Sequence, residues 1–288
     1  MFSLCMSLRR VPNITYSTVS KTGQKIAERL SSRLEREYTQ NHKDFLQENL
    51  ELLIFDRKED PITPLIYNWS YVPLVNEFIG IESNSVKLNG KLEVFSRQSD
   101  DSFLDKNCHK NFGEFTLDLS QQLEKLEKDK SGARIESLTE MQNALDKIGD
   151  KSKEVTQMKK HSEIYRIVNE SIQGGDIYGV SQLQQDIITD NNKTGQFKDL
   201  LNMLAKKNVT SLDKLKLVML YCLKYHDDVE RVNGLQRAIA AQNLPSGVVN
   251  TILEYASINK RNTSELFSVN DILEKVSVNT FSKLRVDT

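Results

Sequence analysis

This sequence contains little cysteine and no long apolar run, and both absences limit what kind of protein it can be. Its three cysteines, Cys5, Cys108 and Cys222, are odd in number and widely spaced. That pattern favours free thiols in a reducing compartment over a disulfide framework. The longest unbroken apolar run, residues 217–223, is far shorter than the roughly 20 residues that a membrane-spanning helix requires. The sequence therefore predicts a cytosolic protein.

Neither sign of charge is in excess, and the residues that usually carry catalysis are sparse. Lysine and arginine number 39 against 40 aspartates and glutamates, whereas a nucleic-acid surface needs a basic excess. The glycine pair 174–175 lacks the lysine and hydroxyl residue that complete a phosphate-binding loop. The histidines lie at no metal-ligand spacing, and Cys108–His109 is interpreted as a surface pair. We therefore expect no nucleic-acid partner, no metal, no cofactor and no enzymatic activity.

The chain is organised around residues 52–81, where a strand gives way to helix. The apolar run Leu52–Phe55 is typical of a strand that is covered on both faces. Asp60 and Thr63 each stand directly before a proline, which suits the start of a helical turn. This stretch therefore predicts the exit from a sheet into a helical region.

The charged residues of that turn, Asp56, Arg57 and Asp60, have two interpretations. One is a structural cluster that marks where the strand stops, which we favour. The other is a binding or catalytic pair at the carboxyl end of a strand, where open α/β sheets often hold ligands. No histidine, lysine pair or glycine loop nearby completes such a site. Trp69 and Tyr71 are likewise interpreted as packing residues.

The same stretch resembles the signature of the Sec/Munc (SM) family of SNARE-binding proteins, and it is most similar to the endosomal and vacuolar-sorting branch. A second match, residues 213–225, resembles the family's helix in the same relative place. A weaker third match, residues 8–16, resembles its basic, proline-containing entry into a strand. The residues that carry the first match are Asp56, Arg57, Asp60, Pro61, Thr63, Pro64, Trp69, Tyr71, Glu77, Gly80 and Ile81.

The resemblance implies a mainly α fold with an α/β portion. SM proteins form an arch with a first α/β domain, a split second α/β domain and a large helical third domain. Aligned by its motifs, this chain has an incomplete, second-domain-like part at 1–56 and a helical, third-domain-like part at 57–288. A helical hairpin would project from the latter at about 115–172. We expect either a partial chain, which we favour, or a reduced relative.

The first 55 residues predict a strand, a helix and a second strand. Residues 14–16 form the first strand, and Thr22 caps a helix whose Ile26, Leu30 and Leu34 recur at intervals of four. Two strands alone make a poor sheet. This portion is therefore expected to pack against something that the chain does not contain.

Helices predominate after residue 63. A new helix beginning at Ser70 would place Pro73 in its first turn, where proline costs little; a helix continuing from Pro64 would be kinked there. Residues 82–113 predict a loop-rich segment with at most one short strand.

Later turns and caps divide the remaining helices. Glycines at 174–179 predict a break before a helix capped by Ser181. Thr210 and Asp213 have the spacing of a capping box before the most apolar helix, 212–225, which we place at the centre of a bundle.

The hairpin supplies the candidate binding site. Its two helices are predicted from apolar residues at helical spacing on either side of Gly132. The resemblance implies that this hairpin contacts SNARE helices, and Ile135, Leu138 and Met141 lie on one helix face just past the turn.

The function implied is regulation of SNARE assembly in vesicle docking and fusion. The partners would be a syntaxin-type SNARE and the assembled SNARE bundle in trans-Golgi, endosomal or vacuolar transport. The protein would be a monomer without cofactors, held at Golgi or endosomal membranes through its SNAREs. A helical scaffold that binds another protein through the same hairpin is the alternative.

Overall fold

The computed structural model describes residues 1–17, 20–41, 50–128, 153–257, 264–267 and 281–284. Most of these residues are helical, which confirms the mainly α prediction. The chain divides into two compact units. Met1–Leu65, Asp186–Phe197 and Leu215–Thr288 form the first unit, and Ile66–Gln185 with Lys198–Lys214 form the second. This grouping differs from the predicted domains 1–56 and 57–288, whose boundaries stay a prediction.

Twelve α-helices and five strands lie in the described residues. The helices are α1 Phe2–Leu8, α2 Lys21–Asn41, α3 Tyr71–Phe78, α4 Ser102–Asn107, α5 Phe112–Lys128, α6 Lys153–Gly174, α7 Ile177–Thr189, α8 Lys193–Ala205, α9 Ser211–Lys224, α10 Val229–Ala240, α11 Val248–Tyr255 and α12 Ser264–Phe267. The strands are β1 Asn13–Ser17, β2 Glu51–Ile54, β3 Ser85–Leu88, β4 Lys91–Val94 and β5 Phe281–Leu284. None of the described helices is long and apolar enough to cross a bilayer.

The first unit contains a three-stranded sheet in the order β2-β1-β5. β1 runs parallel to β2, with Ile14 opposite Leu52, and antiparallel to β5. The connection from β1 through α2 to β2 is the predicted strand–helix–strand unit. Helix α2 packs Leu30 and Leu34 against Ile14 and Ile54 to form a small core.

Two local predictions for this unit are wrong. The cap of α2 is Ser20, not Thr22, because the Ser20 hydroxyl accepts a hydrogen bond from the Gly23 N–H at 2.9 Å. The strand β2 is not covered on both faces, since the Leu53 side chain is 52% exposed and Phe55, beyond the strand end, is 64% exposed. Among the described residues β2 pairs only with β1, so it is an edge strand.

The second unit has a larger core built on α3, α4, α5 and α6. The buried rings of Tyr71 and Phe115 stack with their centroids 3.7 Å apart. Ser70 precedes α3 in an extended conformation, so Pro73 lies in the first turn, as predicted for a helix that begins there.

Residues 82–113 contain more regular structure than predicted. β3 and β4 form an antiparallel hairpin whose two-residue turn is Asn89–Gly90, both with positive φ. Asn-Gly is the strongest short signal for such a turn, because both central residues need φ > 0. The hairpin was not predicted because its strands are only four residues long and the sequence around them is polar.

The helices after the glycine-rich turn differ from prediction in two places. Helix α7 begins at Ile177, so Ser181 lies inside the helix and does not cap it. The predicted cap at Thr210 is confirmed, since its hydroxyl accepts a hydrogen bond from the Asp213 N–H at 3.1 Å. The Asp213 carboxylate accepts from that same hydroxyl at 2.6 Å instead of from the Thr210 N–H, so the capping box is formed only in part. The following helix, α9, buries residues 217–218 and 220–223 completely, in agreement with the prediction of a central helix.

Candidate functional site

Helix α5 contains the first predicted arm of the hairpin, and α6 lies at the far end of its predicted range of about 115–172. The second predicted arm, just past Gly132, falls at 129–152, outside the described residues. The rings of Phe112 and Tyr165 stack at 5.7 Å, and farther along α5 and α6 the Gln122 amide donates a hydrogen bond to the Glu154 carboxylate at 2.7 Å. Because the residue numbers rise on one helix as they fall on the other, the two helices run antiparallel. The predicted contact residues Ile135, Leu138 and Met141 fall at 129–152, outside the described residues.

The charged turn after β2 joins the strand to α2. The Asp56 carboxylate accepts hydrogen bonds from the Ser20 hydroxyl at 2.8 Å and from the Lys58 N–H at 3.1 Å. Ser20 is also the cap of α2. A single buried hydroxyl therefore connects the end of β2 to the start of α2, which supports the structural interpretation of Asp56.

Arg57 pairs with Asp60 at the surface. The guanidinium lies 2.9 Å from the Asp60 carboxylate, and the two side chains are 58% and 48% exposed. Partial burial opposes ionisation of Asp60, but hydrogen bonds from Thr63 and the charge of Arg57 lower its pKa overall. Exposed ion pairs of this kind contribute about 0–1 kcal/mol, so Arg57 adds little to stability.

The prolines and hydroxyl of the signature complete this turn. The Asp60 carboxylate accepts hydrogen bonds from the backbone N–H groups of Ile62 and Thr63, so it caps a short 3₁₀ turn at Thr63–Leu65. Pro61 is buried and Pro64 is exposed. The signature up to Pro64 thus shapes the backbone and presents no cluster of free catalytic groups.

The aromatic part of the signature contacts helices that are distant in sequence. The Trp69 indole N–H donates to the Ser181 hydroxyl at 2.7 Å, and its ring stacks on Tyr178. The Tyr67 hydroxyl donates to the Asp213 carboxylate at 2.5 Å. Asp213 begins the second family-like stretch, 213–225. This hydrogen bond therefore connects the stretch 52–81 to the stretch 213–225 through two residues that are 146 positions apart.

The hydroxyl group of Tyr71 belongs to a buried polar network that the sequence did not predict. Its hydroxyl lies 2.7 Å from His161 Nδ1, and His161 Nε2 lies 3.1 Å from Asp101 Oδ2. The Lys160 ammonium completes the network at 2.5 Å from the same carboxylate oxygen. The side chains of His161 and Asp101 are 0% and 3% exposed.

The protonation state of this network follows from its geometry. The pKa of Asp101 is lowered although burial opposes ionisation, because His161 and Lys160 donate hydrogen bonds to its carboxylate. The ionised Asp101 carboxylate therefore accepts a hydrogen bond from His161 Nε2–H, and the unprotonated Nδ1 accepts one from the Tyr71 hydroxyl. Burial, with the nearby Asp101 charge, raises the pKa of Tyr71, so that hydroxyl keeps its proton.

His161 is held in its neutral form. Burial lowers its pKa, the Asp101 carboxylate opposes that shift, and the charge of Lys160 adds to it. In the unfolded chain the group titrates near its ordinary value of about 6.5. As the pH falls below that value, the unfolded chain takes up a proton that the folded chain does not. The stabilisation is therefore complete above about pH 6.5 and is lost as the pH falls toward the folded pKa.

We expect His161 to make unfolding pH-dependent. Between about pH 6.5 and its folded pKa, this residue should reduce the free energy of unfolding by up to about 1.4 kcal/mol per pH unit. Urea unfolding of the full chain at a series of pH values measures the slope. His161→Gln should lose this part of it, because glutamine retains a donor and an acceptor but does not titrate. The exposed His109→Gln is the control, and equal slopes for wild type and His161→Gln would contradict the assignment.

Sequence reasoning missed Tyr67, Asp101 and His161. Asp101 accepts a hydrogen bond from the Leu104 N–H at 2.9 Å as the cap of α4, and an aspartate three residues before an apolar residue could have indicated that cap. The partnership with His161 had no such signal. Cys108 is buried rather than on the surface, whereas its neighbour His109 is exposed. The described residues contain no cluster of histidine, cysteine and acidic groups that could hold a metal ion.

Known proteins are similar to this chain in sequence and in fold. The family model described as the Sec1 family matches residues 1–285. A vacuolar protein sorting-associated protein 45 homolog from Arabidopsis thaliana is 27% identical over 286 residues, which cover 93% of this chain and 49% of the relative. The vacuolar protein sorting-associated protein 45 of Saccharomyces cerevisiae is 28% identical over 276 residues, which cover 91% of this chain and 47% of the relative.

Two solved structures share the fold. One, described as the SM protein Vps45 in complex with the Qa SNARE Tlg2, matches with a TM-score of 0.77 and 23% identity over 99% of this chain and 58% of its own. Another, of the SM protein Vps45, has a TM-score of 0.71 and 25% identity over 88% of this chain and 47% of its own. The chain spans about half the length of the curated relatives it matches. From the family match along almost its whole length, this chain belongs to the Sec1 family.

Proposed function

We propose that this chain acts in vesicle docking and fusion by holding SNARE helices in register while they assemble. Its partners are a syntaxin-type SNARE and the assembled SNARE bundle in trans-Golgi, endosomal or vacuolar transport. The observation that supports this most is the Sec1 family match over residues 1–285. A Vps45 relative with the same fold has been solved with the Qa SNARE Tlg2.

The contact surface is the apolar face that follows the hairpin turn, formed by Ile135, Leu138 and Met141. The hairpin is proposed to extend over about 115–172, and the antiparallel helices α5 and α6 lie at the two ends of that range. An amphipathic helix laid along a partner helix buries its apolar residues at i, i+3 and i+4 spacing. The three residues have the spacing of three that places them on one such face.

The α/β portion at 1–56 is an incomplete domain, followed by a helical domain at 57–288. The strand β2 supports this proposal, because it has no second neighbouring strand among the described residues. Leu53 in the strand and Phe55 just after it are also exposed. An unpaired edge with an exposed apolar face is a site where another layer of structure packs.

The protein acts as a cytoplasmic monomer that reaches Golgi and endosomal membranes through its SNAREs. It binds and positions helices and catalyses no reaction.

We expect Ile135→Asp with Leu138→Asp to abolish SNARE binding by the full chain. Two charges placed in an apolar contact cost several kcal/mol, a loss in affinity of about 100-fold or more. Titration with the cytoplasmic domain of an endosomal syntaxin-type SNARE and with an assembled bundle measures the change. Circular dichroism on the same samples shows whether the helices persist.

The matched control replaces two exposed apolar residues elsewhere, Leu212 and Val229, with aspartate. Each lies in the first turn of its helix, where an acidic residue is tolerated. This control should bind as wild type does. Unchanged binding by the hairpin variant would remove this face from the mechanism. If the wild-type chain binds other proteins through the hairpin but no SNARE, the scaffold alternative holds.

A further inference from the structure

A cleft of about 560 Å³ in the second unit combines an apolar floor with a polar rim. Phe95, Leu104 and Cys108 form the floor, and all three are at least nine-tenths buried. Val72 and Ile81 add partly buried apolar walls. The volume lies within the range of roughly 300–1,000 Å³ that is usual for ligand sites in proteins.

The rim carries hydrogen-bond donors, and these favour an anionic group in the ligand. The Arg97 side chain is 59% exposed; its Nε lies 3.1 Å from Asp105 and its Nη1 lies 3.3 Å from His109 Nε2. Arginine can only donate, so His109 Nε2 accepts, and His109 Nδ1 carries the proton. Arg97 Nη2 and His109 Nδ1 make no hydrogen bond among the described residues.

The charges on the rim limit the charge that a bound anion can carry. Asp105 already neutralises part of the Arg97 charge. A single carboxylate therefore fits better than a phosphate, which carries nearly two charges at neutral pH. The exposed side-chain amides of Asn84 and Gln98 also line the cleft. An amide offers one acceptor and two donors, which is the complement of a peptide backbone.

We propose that this cleft binds an extended peptide segment of a protein partner, in which an acidic residue stands beside a bulky apolar one. The apolar side chain enters the floor over Phe95 and Leu104, and the carboxylate pairs with Arg97. None of the residues that line this cleft lies in 129–152, so the proposal does not depend on the proposed SNARE contact. The cleft would be a second binding site on this chain.

The test uses the full chain and a fluorescein-labelled octapeptide, Gly-Ser-Glu-Asp-Phe-Leu-Ser-Gly. Fluorescence anisotropy should show saturable binding. Two altered peptides, with Lys-Lys for the acidic pair or Ala-Ala for the apolar pair, should bind at least about tenfold more weakly, the effect of losing one charge-assisted or apolar contact. Arg97→Glu should weaken binding of the first peptide by a similar factor.

Arg57→Glu is the matched control, because Arg57 is 58% exposed and also pairs with an aspartate. It should bind the octapeptide as wild type does, and circular dichroism should show both variants folded. Absence of saturable binding up to about 1 mM protein would overturn the proposal. Equal binding of the Lys-Lys peptide, or an equal loss in Arg57→Glu, would also overturn it.

Discussion

Asp101→Ala should lower the free energy of unfolding by about 3–5 kcal/mol, the usual cost of removing one partner from a buried ion pair. The Lys160 ammonium, 11% exposed, would lose its carboxylate and keep only the Val94 carbonyl at 3.0 Å. The His161 N–H would lose its acceptor inside the core. The same substitution removes the cap of α4, which alone is worth about 1 kcal/mol. Urea unfolding at neutral pH measures the total.

Two further variants separate these contributions. In Asp101→Ala with Lys160→Met, no unpaired charge remains, so the double variant should be less destabilised than the sum of the single ones. Arg57→Ala is the control for an exposed pair and should cost less than about 1 kcal/mol. A loss at Asp101 no larger than that at Arg57 would show that the network contributes nothing to stability.

Tyr71→Ala should lower the free energy of unfolding by a similar amount, about 3–5 kcal/mol, because it removes a fully buried aromatic ring. That ring stacks on Phe115 at 3.7 Å and contacts Phe95 edge-on. Tyr71→Phe keeps the ring but leaves His161 Nδ1 without a donor, so it should cost about 1–3 kcal/mol. The two variants therefore divide packing from hydrogen bonding at one position.

Tyr178→Phe is the control for the loss of a hydroxyl, since Tyr178 is 55% exposed. It should unfold at the wild-type urea concentration. The difference between Tyr71→Phe and this control is the contribution of the buried hydrogen bond. If Tyr71→Phe is as stable as wild type, His161 does not depend on Tyr71 as a donor, and the tautomer assigned here is incorrect.

The sequence determined those features that depend on residues close to one another. Leu30 and Leu34 recur at the helical period, and they face the sheet in α2. Ser70 before Tyr71 marked the start of α3, and Thr210 with Asp213 marked the start of α9. The signature around Asp56 indicated the family, and the family match over residues 1–285 confirms it. Each of these signals lies within a few turns of chain.

Tertiary structure alone decided the contacts between distant segments. Asp101 and His161 are 60 residues apart, and Tyr71 and His161 are 90 apart. No local pattern distinguishes such a histidine from one at the surface, because burial depends on which helices pack around it. The same reason explains the error at Leu53: an apolar run predicts a strand, but whether a second layer covers it depends on the neighbours of that strand in space. Periodicity specifies which face of an element is apolar, and only the packed fold specifies what that face meets.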